Sequence, residues 1–288
     1  MYDWLIAPFV QYGFMQRALF GSLVLSASCA PVGVFLMLRR MSLTGDAMSH
    51  AILPGAAFGF LLFGLDILPM TIGGLLVGLL VAAGSGVVSR LTIQKEDAAM
   101  AAFYLMSLAV GVLLVSWRGS SVDLMHVLFG SVLALNDEAL SLIIGIALVT
   151  AMAFWFLWRG LVAECLDPMF FRSVSRLGGV VHLVFLVIVV LNLVGGFQAL
   201  GTLLSVGLMM LPAVGARFWS NDVRNLCLIA IAIAVVSSMS GLLLSYHASM
   251  PSGPAIIFVA GAIYLFSALV GRRGVFASIL VSRRHKSA

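Results

Sequence analysis

The chain has 288 residues, of which 62% are hydrophobic and only 9% charged, with a mean hydropathy of +1.16. A soluble domain of this length has no core able to hide that much apolar surface, so the composition excludes one and points to an integral membrane protein. The net charge of +5 calls for no nucleic acid, because basic residues at span ends already face an anionic lipid leaflet.

Apolar stretches recur along the whole chain, each long enough at about 1.5 Å per residue to cross roughly 30 Å of hydrocarbon as a helix. A transmembrane barrel would show short segments alternating apolar and polar, and no such pattern occurs. The expected fold is therefore all-α: a polytopic helical bundle forming one membrane domain over residues 1–288. Nine spans are predicted, near 15–38, 47–64, 69–89, 98–117, 138–158, 180–196, 200–216, 225–245 and 254–271. Eight remain possible. The opening MYDWLIAPFVQYGF lacks the basic start of a cleavable leader, so the first span is expected to stay as an anchor.

Placing the N-terminus outside and alternating puts Arg39, Arg40, Arg90, Lys95, Arg159, Arg172, Arg176, Arg217, Arg224, Arg272, Arg273, Arg283, Arg284 and Lys286 on one face, and only Arg17 and Arg118 opposite. Basic residues gather on the cytoplasmic side, so the basic tail 272–288 is expected there.

Between the first apolar run and the second lies Arg39-Arg40-Met41-Ser42-Leu43-Thr44-Gly45-Asp46-Ala47-Met48-Ser49-His50, where the second span begins. Ionisable groups in a span are costly and usually face a cavity or a partner. Asp46 and His50, four residues apart, share one helical face about 6 Å apart along the axis, and together they suit a first-row divalent ion. The alternative is a cap: Asp46 at the helix start and His50 bonded to nearby backbone. Two ligands do not complete a metal shell, so other helices or water must supply the rest.

Glu96 and Asp97 open the fourth span from the same side, as caps or as the lining of a cation exit. The segment SSVDLMHVLFGSVLAL, 120–135, is apolar but short and is read as a re-entrant or interfacial helix on the outer side, carrying Asp123 and His126. The only sizeable polar loop, 159–179, holds Glu164, Asp167, Pro168, Phe170, Phe171, Arg172, Arg176 and Gly178, a short amphipathic element with an aromatic knob. It either caps the bundle or docks a cytoplasmic partner. Tyr246 and His247 fall at the outer end of the eighth span, while His182 and His285 carry no assigned chemistry. Cys29, Cys165 and Cys227 suggest neither disulfides nor a metal motif. No phosphate-binding loop and no catalytic constellation is present, so an enzyme is not expected, and any uphill transport needs a gradient or a separate ATPase.

RRMSLTGDAMSHAILPG resembles the signature of ABC-type manganese/zinc/iron permeases. In the same order, QKEDAAMAAF, LMHVLFGSVLAL, LDPMFFRSVSRLGG, GTLLSVGLMMLPAVGAR and SYHASMPSGPAII resemble further segments of that family, so the likeness covers nearly the whole chain. The resemblance implies a fold like that of the cobalamin and siderophore importers, in a bacterial plasma membrane. It implies a homodimer, two copies of a cytoplasmic ATPase subunit and an extracytoplasmic metal-binding protein. The transported ion would be Mn²⁺ or Zn²⁺, with Fe²⁺ a further candidate, and no cofactor would be permanently bound. Asp46 and His50 become ion contacts in the path, and Glu164 to Gly178 the segment that couples to the ATPase. Asp123, His126, Tyr246 and His247 become residues of an outer mouth, with His126, His247 and Met48 departing from the usual pattern. A proton-coupled carrier using Asp46 and Glu96 is the competing reading; it predicts an inverted repeat, and the two halves show no convincing one.

Overall fold

The computed structural model describes residues 7–64, 66–117, 135–167, 171, 173, 175 and 178–276. Among these, every regular element is a helix: α1 (Ala7–Gln11), α2 (Gly13–Leu38), α3 (Ser42–Ala51), α4 (Leu53–Phe63), α5 (Ile67–Leu91), α6 (Glu96–Trp117), α7 (Asp137–Leu166), α8 (Gly178–Leu200), α9 (Thr202–Ala216), α10 (Val223–Ala248) and α11 (Ser252–Val270). Helix is what lipid demands, because each backbone N–H and C=O is then satisfied within its own segment. Taking α3 and α4 as one, eight of these segments are long and apolar enough to cross a membrane. The predicted seventh span is shorter: α9 has 15 residues, about 22 Å of helix, because Gly201, at φ +95°, turns the chain sharply after α8. The expected re-entrant segment, with Asp123 and His126, lies outside the described residues.

Helices α2 and α8 form the interior, whereas α6 and α7 expose most of their apolar surface, including Leu105, Met106, Leu113, Leu148, Trp155 and Phe156. Buried polar side chains tie the centre together. The Asn192 side-chain amide donates to Thr150 Oγ1 at 2.8 Å and to the Ile188 carbonyl at 2.9 Å, joining α8 to α7. The Ser26 and Ser238 hydroxyls meet at 3.1 Å between α2 and α10. Interhelical bonds of this kind contribute about 0.6–1.7 kcal/mol within a membrane. Asn192→Ala should therefore destabilise the protein by ~1 kcal/mol, seen as a lower thermal midpoint in detergent; an unchanged midpoint would mean that Thr150 finds an equal partner elsewhere.

Contacts at the helix ends bear out the alternating path. Arg39, closing α2, meets the end of α7 and the start of α8, and the Arg273 N–H donates to the Phe218 carbonyl at 3.1 Å near that same basic end. At the opposite end Arg17 pairs with Asp137 at 3.4 Å, and the rings of Tyr12 and Tyr246 lie 5.8 Å apart.

Two boundaries differ from expectation. Helix α7 continues to Leu166, burying Leu161 and Glu164, so the polar loop begins at Asp167 rather than near 160. Helix α3 begins at Ser42, ahead of the apolar run that starts near 47.

Candidate functional site

The start at Ser42 decides how Asp46 is read. The N-cap of α3 is Met41, with no side-chain cap bond, and the first turn holds no acid, so Asp46 is a mid-helix residue and the capping alternative fails. One face of α3, with Thr44, Gly45, Ala47, Met48, Ser49 and Ala51, is buried against the bundle. These residues are mostly small, so the helix sits close, and Gly45 lies beside Leu36 and Met210. The other face presents Leu43, Asp46 and His50.

The Asp46 side chain is 67% exposed and that of His50 36%, with His50 Nε2 3.9 Å from Asp46 Oδ1. That is too long for a direct hydrogen bond. Donors each about 2.1 Å from a shared ion are at most ~4.2 Å apart, so one cation can sit between this oxygen and this nitrogen. By helical rise, Asp46 and His50 stand about 6 and 12 Å along α3 from its first residue, inside the bundle's thickness.

The helix breaks just beyond the pair. Pro54, in the first turn of α4, lacks the N–H that would bond the His50 carbonyl. Across the break, the Ser107 hydroxyl of α6 donates to the Ala51 carbonyl at 2.7 Å. Helix α6 runs parallel to α3 and α4, with Ser107 beside Ala51 and Gly111 beside Pro54. Its start, Glu96 and the exposed Asp97, therefore lies toward the basic end, below Asp46.

The remaining expected site residues fall elsewhere. Tyr246 and His247 are exposed in the last turn of α10, at the end away from the basic face, with their rings 5.2 Å apart. They form no cluster with Asp46 and His50. Among the described residues, no group of three or more His, Cys, Asp or Glu could enclose a metal.

Of the polar loop, Pro168, Phe170, Arg172 and Arg176 lie outside the described residues. Asp167 is exposed at the C-cap of α7, and helical backbone bonds run from the Phe171 N–H to the Asp167 carbonyl and from the Ser175 N–H to the Phe171 carbonyl. Phe171 is half-buried beside Gly160, and Gly178 opens α8. Glu164 is not a loop residue at all. It is 3% exposed and binds Arg39 Nη2 through Oε2 at 2.7 Å, while its Oε1 lies 3.3 Å from His182 Nδ1. Sequence reading missed this cluster, and the only hint was that charges are scarce enough in the chain for each to need a partner.

Comparison with known proteins places nearly the whole chain in one family. The profile described as the ABC 3 transport family matches residues 11–271. The manganese import system permease protein ScaB of Streptococcus parasanguinis is 32% identical over 89% of this chain and 90% of its own. The chelated iron transport system membrane protein YfeC of Yersinia pestis is 29% identical over 92% and 88%. A solved structure of PsaBC from Streptococcus pneumoniae in complex with Fab superposes with a TM-score of 0.85 at 29% identity, covering 97% of this chain and 99% of that one.

Proposed function

The chain belongs to the ABC 3 transport family, and on that premise we propose that it is the permease through which a divalent metal ion, foremost manganese, enters the cell. The observation that carries this reading is an acid and an imidazole on an uncovered face of a membrane helix. A charged group turned to lipid costs about 2.5–3.5 kcal/mol or more, so that face belongs against water or another protein surface. A second copy meets the need. Two copies facing each other across α3 bring two carboxylates and two imidazoles to one ion, a donor set suited to Mn²⁺, Zn²⁺ and Fe²⁺ and poor for Cu⁺. The names of the ScaB and YfeC relatives support manganese first and iron second.

In this account an extracytoplasmic metal-binding protein releases the ion at the mouth near Tyr246 and His247, with Asp123 and His126 as further candidates there. The ion passes between the copies to His50 and Asp46, then leaves past Glu96 and Asp97 toward the basic, cytoplasmic face. The chain holds no ATP site, so the energy comes from a cytoplasmic ATPase bound in two copies, and the path opens to one side at a time.

The test is uptake into proteoliposomes holding the permease with its ATPase and binding protein, using radioactive manganese, zinc and iron. ATP-dependent accumulation of manganese is expected; absence of ATP-dependent accumulation for all three metals would contradict the proposal. The segment from Asp167 to Gly178, with Pro168, Phe170, Phe171, Arg172 and Arg176, is proposed as the ATPase dock. Phe170→Ala with Phe171→Ala should release the ATPase on purification or lower cargo-stimulated hydrolysis by about tenfold, ~1.4 kcal/mol in coupling. Unchanged co-purification and stimulation would remove those rings from the interface.

A further inference from the structure

The buried cluster of Arg39, Glu164 and His182 has a place in the fold that plain stabilisation does not require. Glu164 stands three residues before the polar loop that starts at Asp167, and His182 four residues into α8, which follows that loop. The two are therefore the roots of its two arms. Arg39 comes from a third place, the turn between α2 and α3, seven residues before Asp46.

Arg39 Nη2 donates to Glu164 at 2.7 Å, Arg39 Nη1 lies 3.2 Å from His182 Nδ1, and the guanidinium stacks 4.1 Å over the Phe185 ring. Phe35 packs against Phe154, Trp158 and Phe185, the last of these being the ring under the guanidinium. The turn beyond Arg39 is closed by two backbone hydrogen bonds. The Arg40 N–H donates to the Met37 carbonyl and the Met41 N–H to the Leu36 carbonyl, with Arg40 at φ +61°, a helix end that locks the chain's exit direction. A displacement of Arg39 therefore carries the start of α3 with it.

We propose that Arg39, Glu164 and His182 form the strut that transmits movement of the ATPase-facing loop to the helix carrying Asp46 and His50. These are positioning residues: none touches the ion. The inference rests on the transport reading above, in which the loop docks an ATPase and α3 lines the path. Buried ion pairs are commonly replaceable by apolar groups without loss of fold, so selection for stability alone gives little reason for a charged cluster at this junction.

The experiment uses the reconstituted complex of permease, ATPase and binding protein, and reads manganese carried per ATP hydrolysed. The double variant Arg39→Met with Glu164→Met removes both charges together, so no lone buried ion is left to unfold the chain. It should assemble and hydrolyse ATP, yet carry about tenfold less manganese per ATP, a coupling loss of the usual allosteric size. Its equilibrium Mn²⁺ binding should stay within about twofold of wild type, because the ligands are untouched. The exchanged pair Arg39→Glu with Glu164→Arg should restore much of the ratio. A ratio equal to wild type in the assembled Met variant would overturn the strut and leave the cluster purely structural, as would a fall matched by weaker Mn²⁺ binding. Failure of the parent reading shows separately, as a wild-type complex that carries no manganese.

Discussion

Asp46→Ala and His50→Ala should each lower manganese uptake by at least about tenfold, equivalent to ~1.4 kcal/mol of lost ion stabilisation, without lowering the amount of permease in the membrane. Neither side chain is buried, with Asp46 67% and His50 36% exposed, so truncation removes no core packing. Substitutions at such positions usually stay within about 0.5 kcal/mol in stability. Asp46→Asn separates charge from shape, since it keeps the volume and one acceptor oxygen but loses the negative charge that draws a dication. It should fall with Asp46→Ala rather than with wild type. Uptake assayed in cells, with membrane abundance and ATPase co-purification as controls, checks the set. Wild-type uptake in both alanine variants would take the pair out of the path.

The second large effect is at Gly55, where α4 and α5 touch backbone to backbone. A Cβ added there would run into the Gly73 carbonyl and come within 2.9 Å of the Gly74 nitrogen. The clash is mutual, because a Cβ on Gly73 would strike the Gly55 carbonyl, and four residues on a Cβ on Gly59 would come within 2.6 Å of the Pro69 carbonyl. No rotamer change relieves contact with main chain, so the helices must part. Gly55→Val is expected to cost about 1–3 kcal/mol, the usual range for overpacking, and probes the small-residue approach on which membrane helix pairs depend. Because α4 follows the helix that carries Asp46 and His50, uptake should fall with it. Gly261, in α11, has open space where its Cβ would go, so Gly261→Ala serves as the control and should be neutral. A thermal midpoint for Gly55→Val equal to that of Gly261→Ala would show that α4 and α5 separate at no cost.

The spans were legible because hydropathy is local: burying apolar side chains in lipid needs no knowledge of what lies across the bundle. The boundaries were less so. Arg159 ends the long apolar run, but backbone hydrogen bonding continues to Leu166, since a charge ends an apolar run without ending a helix. The polar start of α3, Ser42 to Gly45, was hidden for the same reason, and with it the evidence that Asp46 does not cap. Asp46 and His50 could be picked out together because a spacing of four is a statement about one helix. The Arg39 cluster could not, because its partners stand 125 and 143 residues away and only the tertiary fold brings them together. Likewise, nothing local says that the face carrying Asp46 is left uncovered within one chain; that follows from how α3 packs on α2, α6, α8 and α9.

The central claim is that the uncovered face of α3 holds the passing cation between two copies of the chain. Anomalous scattering at the manganese edge, from crystals of the assembled transporter grown with Mn²⁺, tests it most directly. The account predicts a peak shared by two permease chains, within about 2.5 Å of Asp46 carboxylate oxygens and His50 imidazole nitrogens. A dimer whose Asp46 and His50 face lipid, with manganese bound elsewhere in the membrane region, would contradict it.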